Sequence, residues 1–190
     1  MALNLITVPT EEPVLLAGAK KHLRVEVTDD DDYINSLIVV AREHVETITR
    51  RALITQVWEL GLDNFPSGEI SLPLPPLQSV ESIKYTDTDG AVQTLSAEKY
   101  TVDIKNEPGV IVPAYGKSWP ATRDVINVVL VQFTAGYGDA GADVPESIKQ
   151  AMLFLIAHFY ENREAVSSGT VIREMPLAVE SLLATYRVWS

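Results

Sequence analysis

Apolar residues recur along the chain with two different periods, and the change from one to the other organises it. Ile34, Leu37, Ile38, Ala41, Val45 and Ile48 step by three, one, three, four and three residues, the spacing of one face of an α-helix. Thr28 and the run Asp29-Asp30-Asp31-Asp32 stand just before them. A threonine there can accept a hydrogen bond from an early backbone N–H, and the aspartates place negative charge at the positive end of the helix dipole. The pattern predicts a helix over Thr28–Leu53, roughly 35 Å long, with Arg42, Glu43, Glu46, Thr47 and Arg50 largely on its other faces. Upstream, residues 1–12 read as extended. Thr10 is placed to cap a shorter helix from Glu11 to Leu23, carrying Val14, Leu15, Ala19 and Leu23 on one side. Arg24–Val27 joins the two helices into an αα-hairpin.

After Leu53 the period becomes two. Trp58, Leu60 and Leu62 alternate with Val57, Glu59, Gly61 and Asp63, as in a half-buried strand. Ile70 and Leu72 predict another strand, stopped by Pro73, Pro75 and Pro76; prolines cannot donate to a ladder, so this segment belongs at an edge or outside the sheet. Val80–Tyr85 and Ala91–Leu95 flank Asp87-Thr88-Asp89-Gly90, a hairpin signal because glycine tolerates positive φ. Tyr100–Ile104 and Val110–Val112 flank a turn at Asn106–Gly109. Asp124–Thr134 is the most apolar strand and the expected centre of the sheet. Gly136–Asp143 reads as a loop. Pro145 is a favoured first-turn residue and opens a helix to about Arg163, with Asp143 placed to cap it. Glu164–Glu174 reads as a mobile loop, and Pro176 opens a last helix bearing Leu177, Val179, Leu182, Leu183, Tyr186 and Trp189. The prediction is an α+β fold: an N-terminal αα-hairpin with a long second helix (1–53), an antiparallel β-rich middle block of about six strands (54–134) and two C-terminal helices with a loop (135–190), forming one domain.

Composition narrows the function. The 190 residues include 15 Lys and Arg against 26 Asp and Glu, a net charge of −11. Phosphate contacts need cations, so the chain is poorly suited to non-specific nucleic-acid binding, and the same charge opposes docking on anionic membranes. No cysteine is present, which removes disulfides and thiolate metal sites. The first residues lack the basic and apolar regions of a signal peptide. No apolar run reaches membrane-spanning length, and the expectation is a soluble protein made inside the cell.

Candidate chemistry is sparse. Asp29–Asp32 could attract a hard cation, but consecutive helical residues point in different directions, which favours a charged helix start. Asp139, Asp143 and Glu146 lack the spacing of a calcium loop. His22, His44 and His158 form no i,i+4 pair and read as packed or surface residues. Ser167-Ser168-Gly169 lacks the nucleophile elbow, and Gly136-Tyr137-Gly138 lacks the lysine and third glycine of phosphate-binding loops. No catalytic, cofactor-binding or metal residue is assigned. Scattered carboxylates can still meet in three dimensions, so a small metal-dependent hydrolase stays open as an alternative. Tyr186, Arg187 and Trp189 crowd the C-terminal end; these residue types are enriched at binding hot spots, though Tyr186 and Trp189 could equally close the core.

Taken in order, several segments resemble the head–tail connector (adaptor) proteins of tailed bacteriophages. They are Leu15–Arg24 followed by the acidic cap and long helix, Asp87–Gly90, Tyr100–Asp103, Trp119-Pro120, Thr134–Gly138, Val144–Ala151, Phe159–Glu164, Pro176–Val179 and Leu182–Arg187. No single motif is specific; the ordered set is, and it covers nearly the whole chain, in the variant with a β-rich middle insertion. The resemblance implies a non-enzymatic virion protein without cofactors, made in the bacterial host cytoplasm. It implies a homo-oligomeric ring, typically a dodecamer of twelve copies, placed under the portal protein at the head–tail interface. Such a ring extends the DNA channel, which DNA crosses without specific binding, and presents a surface to the downstream stopper or tail protein. Arg42, Glu46 and Arg50 are then subunit-interface candidates, and Tyr186, Arg187 and Trp189 portal-docking candidates. Another phage head-completion or tail protein of similar make-up is the remaining alternative.

Overall fold

The computed structural model describes residues 2–162 and 177–189; the expected loop at Glu164–Glu174 and the expected helix start at Pro176 lie outside them. The chain divides into two compact units. One comprises residues 1–9 and 55–137, the other residues 10–54 and 138–190.

The first unit holds the strands β1 (Ala2–Thr7), β2 (Gln56–Leu62), β3 (Ile70–Leu72), β4 (Leu77–Thr86), β5 (Val92–Thr94), β6 (Tyr100–Asp103), β7 (Gly109–Pro113) and β8 (Val129–Ala135). They form an antiparallel five-stranded sheet in the order β1-β2-β8-β4-β5 and a three-stranded sheet in the order β3-β7-β6. The apolar strand near residue 130 is central, as its composition predicts. Val129, Val131, Phe133 and Ala135 alternate inward and are fully buried, with Leu60 of β2 and Ile83 of β4 equally inaccessible. The proline-flanked β3 lies at an edge. Leu77 lies directly against Gly109, where an added Cβ would stand 2.5 Å from its Cδ2; glycine is what allows this close approach. Outside the sheets, Trp119 stacks on Phe65 at 5.0 Å and 7° while its indole N–H donates to the Gly68 carbonyl, tying two loops together.

Three strand expectations need correction. The middle block contains seven strands in place of about six, and the extended N-terminus supplies an eighth by pairing with β2. The central strand begins at Val129, five residues after Asp124, because Asn127 takes a positive φ of 55° and donates its N–H to the Asp63 carboxylate at 2.8 Å. That turn leaves Val125 and Ile126 exposed.

The second unit holds the helices α1 (Leu16–Leu23), α2 (Asp31–Thr49), α3 (Glu146–Glu161) and α4 (Leu177–Leu183), the last followed by a 3-10 turn at Ala184–Tyr186. Its core comes from Ile34, Leu37, Ile38, Ala41 and Val45 of α2 and Val179 and Leu183 of α4, all on the predicted stripes, together with Ile148, Ala151, Met152, Leu155 and Ile156 of α3; Leu177, also expected on the last helix's stripe, is instead exposed. The helix bounds differ from expectation for identifiable reasons. Pro13 disfavours helical backbone at the residue before it, and α1 starts at Leu16. Helix α2 starts at Asp31, with Asp30 rather than Thr28 at the N-cap and no side-chain cap. It stops at Thr49 because Arg50 adopts the left-handed conformation, φ 56°, which makes it about 28 Å long. Asp143 does not cap α3; its carboxylate accepts the Ala140 N–H at 3.1 Å. Trp189 lies beyond the last helix.

Phe133 fills the centre of β8 with no exposed surface, so Phe133→Ala should cost about 3–5 kcal/mol of unfolding free energy. Val92→Ala on the edge strand β5, where the side chain is 72% exposed, should change it by less than about 0.5 kcal/mol. Urea titration of the two variants against the parent chain checks both.

Candidate assembly surfaces

Two surfaces of the helical unit carry the residues singled out in sequence. The first is α2. Asp32, Ser36, Val40, Glu43, Thr47 and Arg50 recur at three- and four-residue spacing and are exposed, so one stripe of the long helix faces outward along its length. Arg50 ends that stripe at the helix C-cap. Arg42 and Glu46 take a different position. Arg42 is 8% exposed; its Nε donates to Glu12 Oε2 at 2.9 Å and its Nη1 to Glu46 Oε2 at 2.9 Å. The other oxygen of Glu46 accepts the Leu53 N–H at 2.9 Å. One guanidinium and two carboxylates thus join the segment before α1, the body of α2 and the segment leaving it.

The protonation of this group follows from its burial. Burial alone would lower the Arg42 pKa, but the Glu46 and Glu12 carboxylates more than offset that and hold it above its ordinary value. Burial raises the Glu12 carboxyl above its ordinary 4.5, and the Arg42 charge and hydrogen bond pull it back only in part.

The second surface is the C-terminal tail. Tyr186 and Arg187 are half-buried, while Trp189 is 81% exposed. Trp189 therefore does not close the core; Val179 and Leu183, fully buried, do that. The tail is tied to the end of α2 at two points: Arg51 Nε donates to the Tyr186 carbonyl at 2.6 Å, and the Val188 N–H donates to the Thr49 carbonyl at 3.0 Å. The structure thus brings Arg42 and Glu46 together and strings Tyr186, Arg187 and Trp189 along one tail. Sequence reasoning missed Glu12 and Arg51. Arg51 had a usable signal, a cation just past a helix C-terminus where the dipole favours one; Glu12, thirty residues from its partner, had none.

Several of the other candidate groups have structural partners. Asp31 pairs with Lys20 at 2.5 Å, and Asp30 accepts the Tyr160 hydroxyl at 2.5 Å. His22 lies against Phe154, and His44 and His158 lie against Phe159. Among the described residues no three His, Asp or Glu side chains converge as a metal ion would require, and no helix is long and apolar enough to cross a membrane.

The model of the family described as head completion protein matches residues 16–188. No curated protein matches the chain in sequence. Among solved structures, it is similar to a chain in the neck of an empty gene transfer agent (GTA) particle computed with C6 symmetry, with a TM-score of 0.82 at 24% identity, covering 100% of this chain and 97% of that one. A chain from the virion of a native gene transfer agent particle gives a TM-score of 0.83 at 24% identity and the same coverage. A chain from the neck of a native GTA particle computed with C12 symmetry gives 0.74 at 23% identity, again covering 100% and 97%. At these identities the likeness establishes a shared fold.

Removing one partner of a largely buried ion group leaves the others uncompensated. Arg42→Met should therefore destabilise the chain by about 2–3 kcal/mol, below the range for fully buried pairs because Glu12 keeps 26% of its side-chain surface in water. Adding Glu12→Gln and Glu46→Gln to that variant should recover most of the loss. Denaturant titrations of the single and triple variants measure it.

Proposed function

The chain belongs to the head completion protein family, and from that membership we propose that it is a ring-forming connector that joins a phage-type capsid to its tail. In this reading it is a structural, non-enzymatic particle component made in the cytoplasm of a bacterial host. About twelve copies stand below the portal protein in the particle, extend its DNA channel and offer a face to the next stopper or tail protein. Neighbouring copies meet along the outer stripe of α2, with Arg50 in direct contact and Arg42 and Glu46 setting the position of the helix through their intrachain bonds. Tyr186, Arg187 and Trp189 dock on the portal.

The observation that carries the reading is the family match across residues 16–188, which spans both compact units. The shared fold with chains from two GTA particle necks, one computed with C6 and one with C12 symmetry, supports the ring. An exposed stripe running the length of α2 suits lateral contact between copies, and an exposed tryptophan on a short tail suits a hot-spot anchor. Net charge supports a passive conduit, since an acidic wall repels the phosphate backbone.

Native mass spectrometry of the purified chain, alone and with a portal preparation, tests the proposal. The wild-type chain should bind the portal as multiple copies. The pair Arg187→Ala and Trp189→Ala should weaken that binding by about 2 kcal/mol, roughly thirtyfold. These changes are preferable to deleting the C-terminal segment, because Val179 and Leu183 are core residues. A wild-type chain that ignores the portal would sink the proposal.

A further inference from the structure

The last carbonyls of an α-helix have no intrahelical partner, and the end of α2 uses one of them to capture the tail. Thr49 is the final helical residue, and its carbonyl accepts the Val188 N–H at 3.0 Å. Two residues on, Arg51 donates from Nε to the Tyr186 carbonyl at 2.6 Å. Arg51 is only 8% exposed, so its bond is made largely out of water, where a charged donor forms one of the stronger hydrogen bonds. Both anchors come from residues 49–51 and both captured groups from residues 186–188. On the other side of the tail, α4 is fixed by the fully buried Val179 and Leu183. The tail is thus held before and along its extended part, and Trp189, the next residue, stands 81% exposed.

We infer that Arg51 is a positioning residue for docking: with the Thr49 carbonyl it holds residues 186–188 in one pose, so that Trp189 meets its partner as a preformed anchor. This rests on the portal-docking reading of the tail. A free tail would have to be ordered at the moment of binding, and that ordering would be subtracted from the affinity. Fixing the tail on its own helix end removes most of that cost in advance.

Two variants separate this from a general loss of fold. Arg51→Gln removes the charged donor. Val188→Pro removes the backbone N–H, and Arg187, at φ −66° and ψ 129°, already has the extended backbone that a following proline demands. Amide hydrogen exchange on the full-length chain should show Val188 protected at least about tenfold in the wild type. Arg51→Gln should abolish that protection while the amides of α2 and α3 keep theirs, and Arg51→Lys, which retains a charged donor, should recover much of it. Arg51→Gln and Val188→Pro should each weaken portal binding about tenfold. A Val188 amide that exchanges in the wild type at the rate of an unstructured chain overturns the inference. So does wild-type portal affinity in both variants. Unchanged portal binding by Trp189→Ala instead overturns the docking reading itself, and the inference falls with it.

Discussion

The helical unit depends on one small ionic junction, in which Arg42 bridges Glu12 and Glu46 while Glu46 also accepts the Leu53 N–H. Each contact answers a different structural need. Glu12 precedes α1, Arg42 and Glu46 are one helical turn apart on α2, and Leu53 lies past the helix end. A cation held 8% exposed is tolerable only because two carboxylates face it, and an extra carboxylate oxygen is tolerable only because a backbone N–H satisfies it. The group therefore works as a unit: it fixes how the chain enters and leaves the long helix. Apolar stripes alone would pack α2 with less definite ends, since hydrophobic burial carries no direction.

The end of α2 is where that definition turns outward. Arg50 reverses the chain through a left-handed turn, Leu53 is tied back to Glu46, and the carbonyl of Thr49 is left facing a donor that the tail provides. A shorter helix than the pattern alone predicts is the consequence. It also makes the C-terminal tail part of the α2 structure, which bears on function more than the length of the helix does. Under the proposed connector role, a surface whose geometry is set before the partner arrives binds more tightly, because ordering at contact weakens binding. In this chain the outward stripe of α2 is backed by a buried opposite face, and the tail is tied to the helix end by two hydrogen bonds.

Much of this architecture was legible in the sequence wherever periodicity reports burial. The stripe from Ile34 to Val45, the alternation through Phe133, the Asp-Gly hairpin and the edge position of the proline-flanked strand all follow from local pattern. The ordered set of weak motifs also carried the family, because their sequence along the chain is far more specific than any one of them. What escaped is non-local or set by a single backbone angle. Nothing in Ala2–Thr7 announces β2 as its partner, and nothing in Glu12 points to Arg42. Arg50 and Asn127 each take positive φ without being glycine, and so end α2 early and delay β8. The caps failed for the same reason: Thr28 and Asp143 are correct residue types near helix starts, but neighbouring backbone geometry gave the N-cap to Asp30 and to Pro145. The candidate surface on α2 was half legible, since spacing places Arg42 and Glu46 on the helix but cannot tell an outward face from a lateral one that a distant glutamate covers.

An acidic chain of net charge −11 offers many carboxylates, and the useful question is what each accepts. Asp30 takes the Tyr160 hydroxyl, Asp31 takes Lys20, Asp63 takes the Asn127 N–H, Asp143 takes the Ala140 N–H, and Glu46 takes both Arg42 and Leu53. Those bonds span up to 130 residues of sequence, so the acidic groups serve to close turns and to join helices. A carboxylate engaged in that way is aligned on the protein's own donors, and general acid–base work on a substrate would require it to abandon them. Other acids remain exposed, among them Asp32 and Glu43 on the outer stripe of α2 and Glu69 beside Asp63 in the first unit. The physical character of the chain is thus that of an acidic protein whose distinctive buried charges fix the shape of its helical unit.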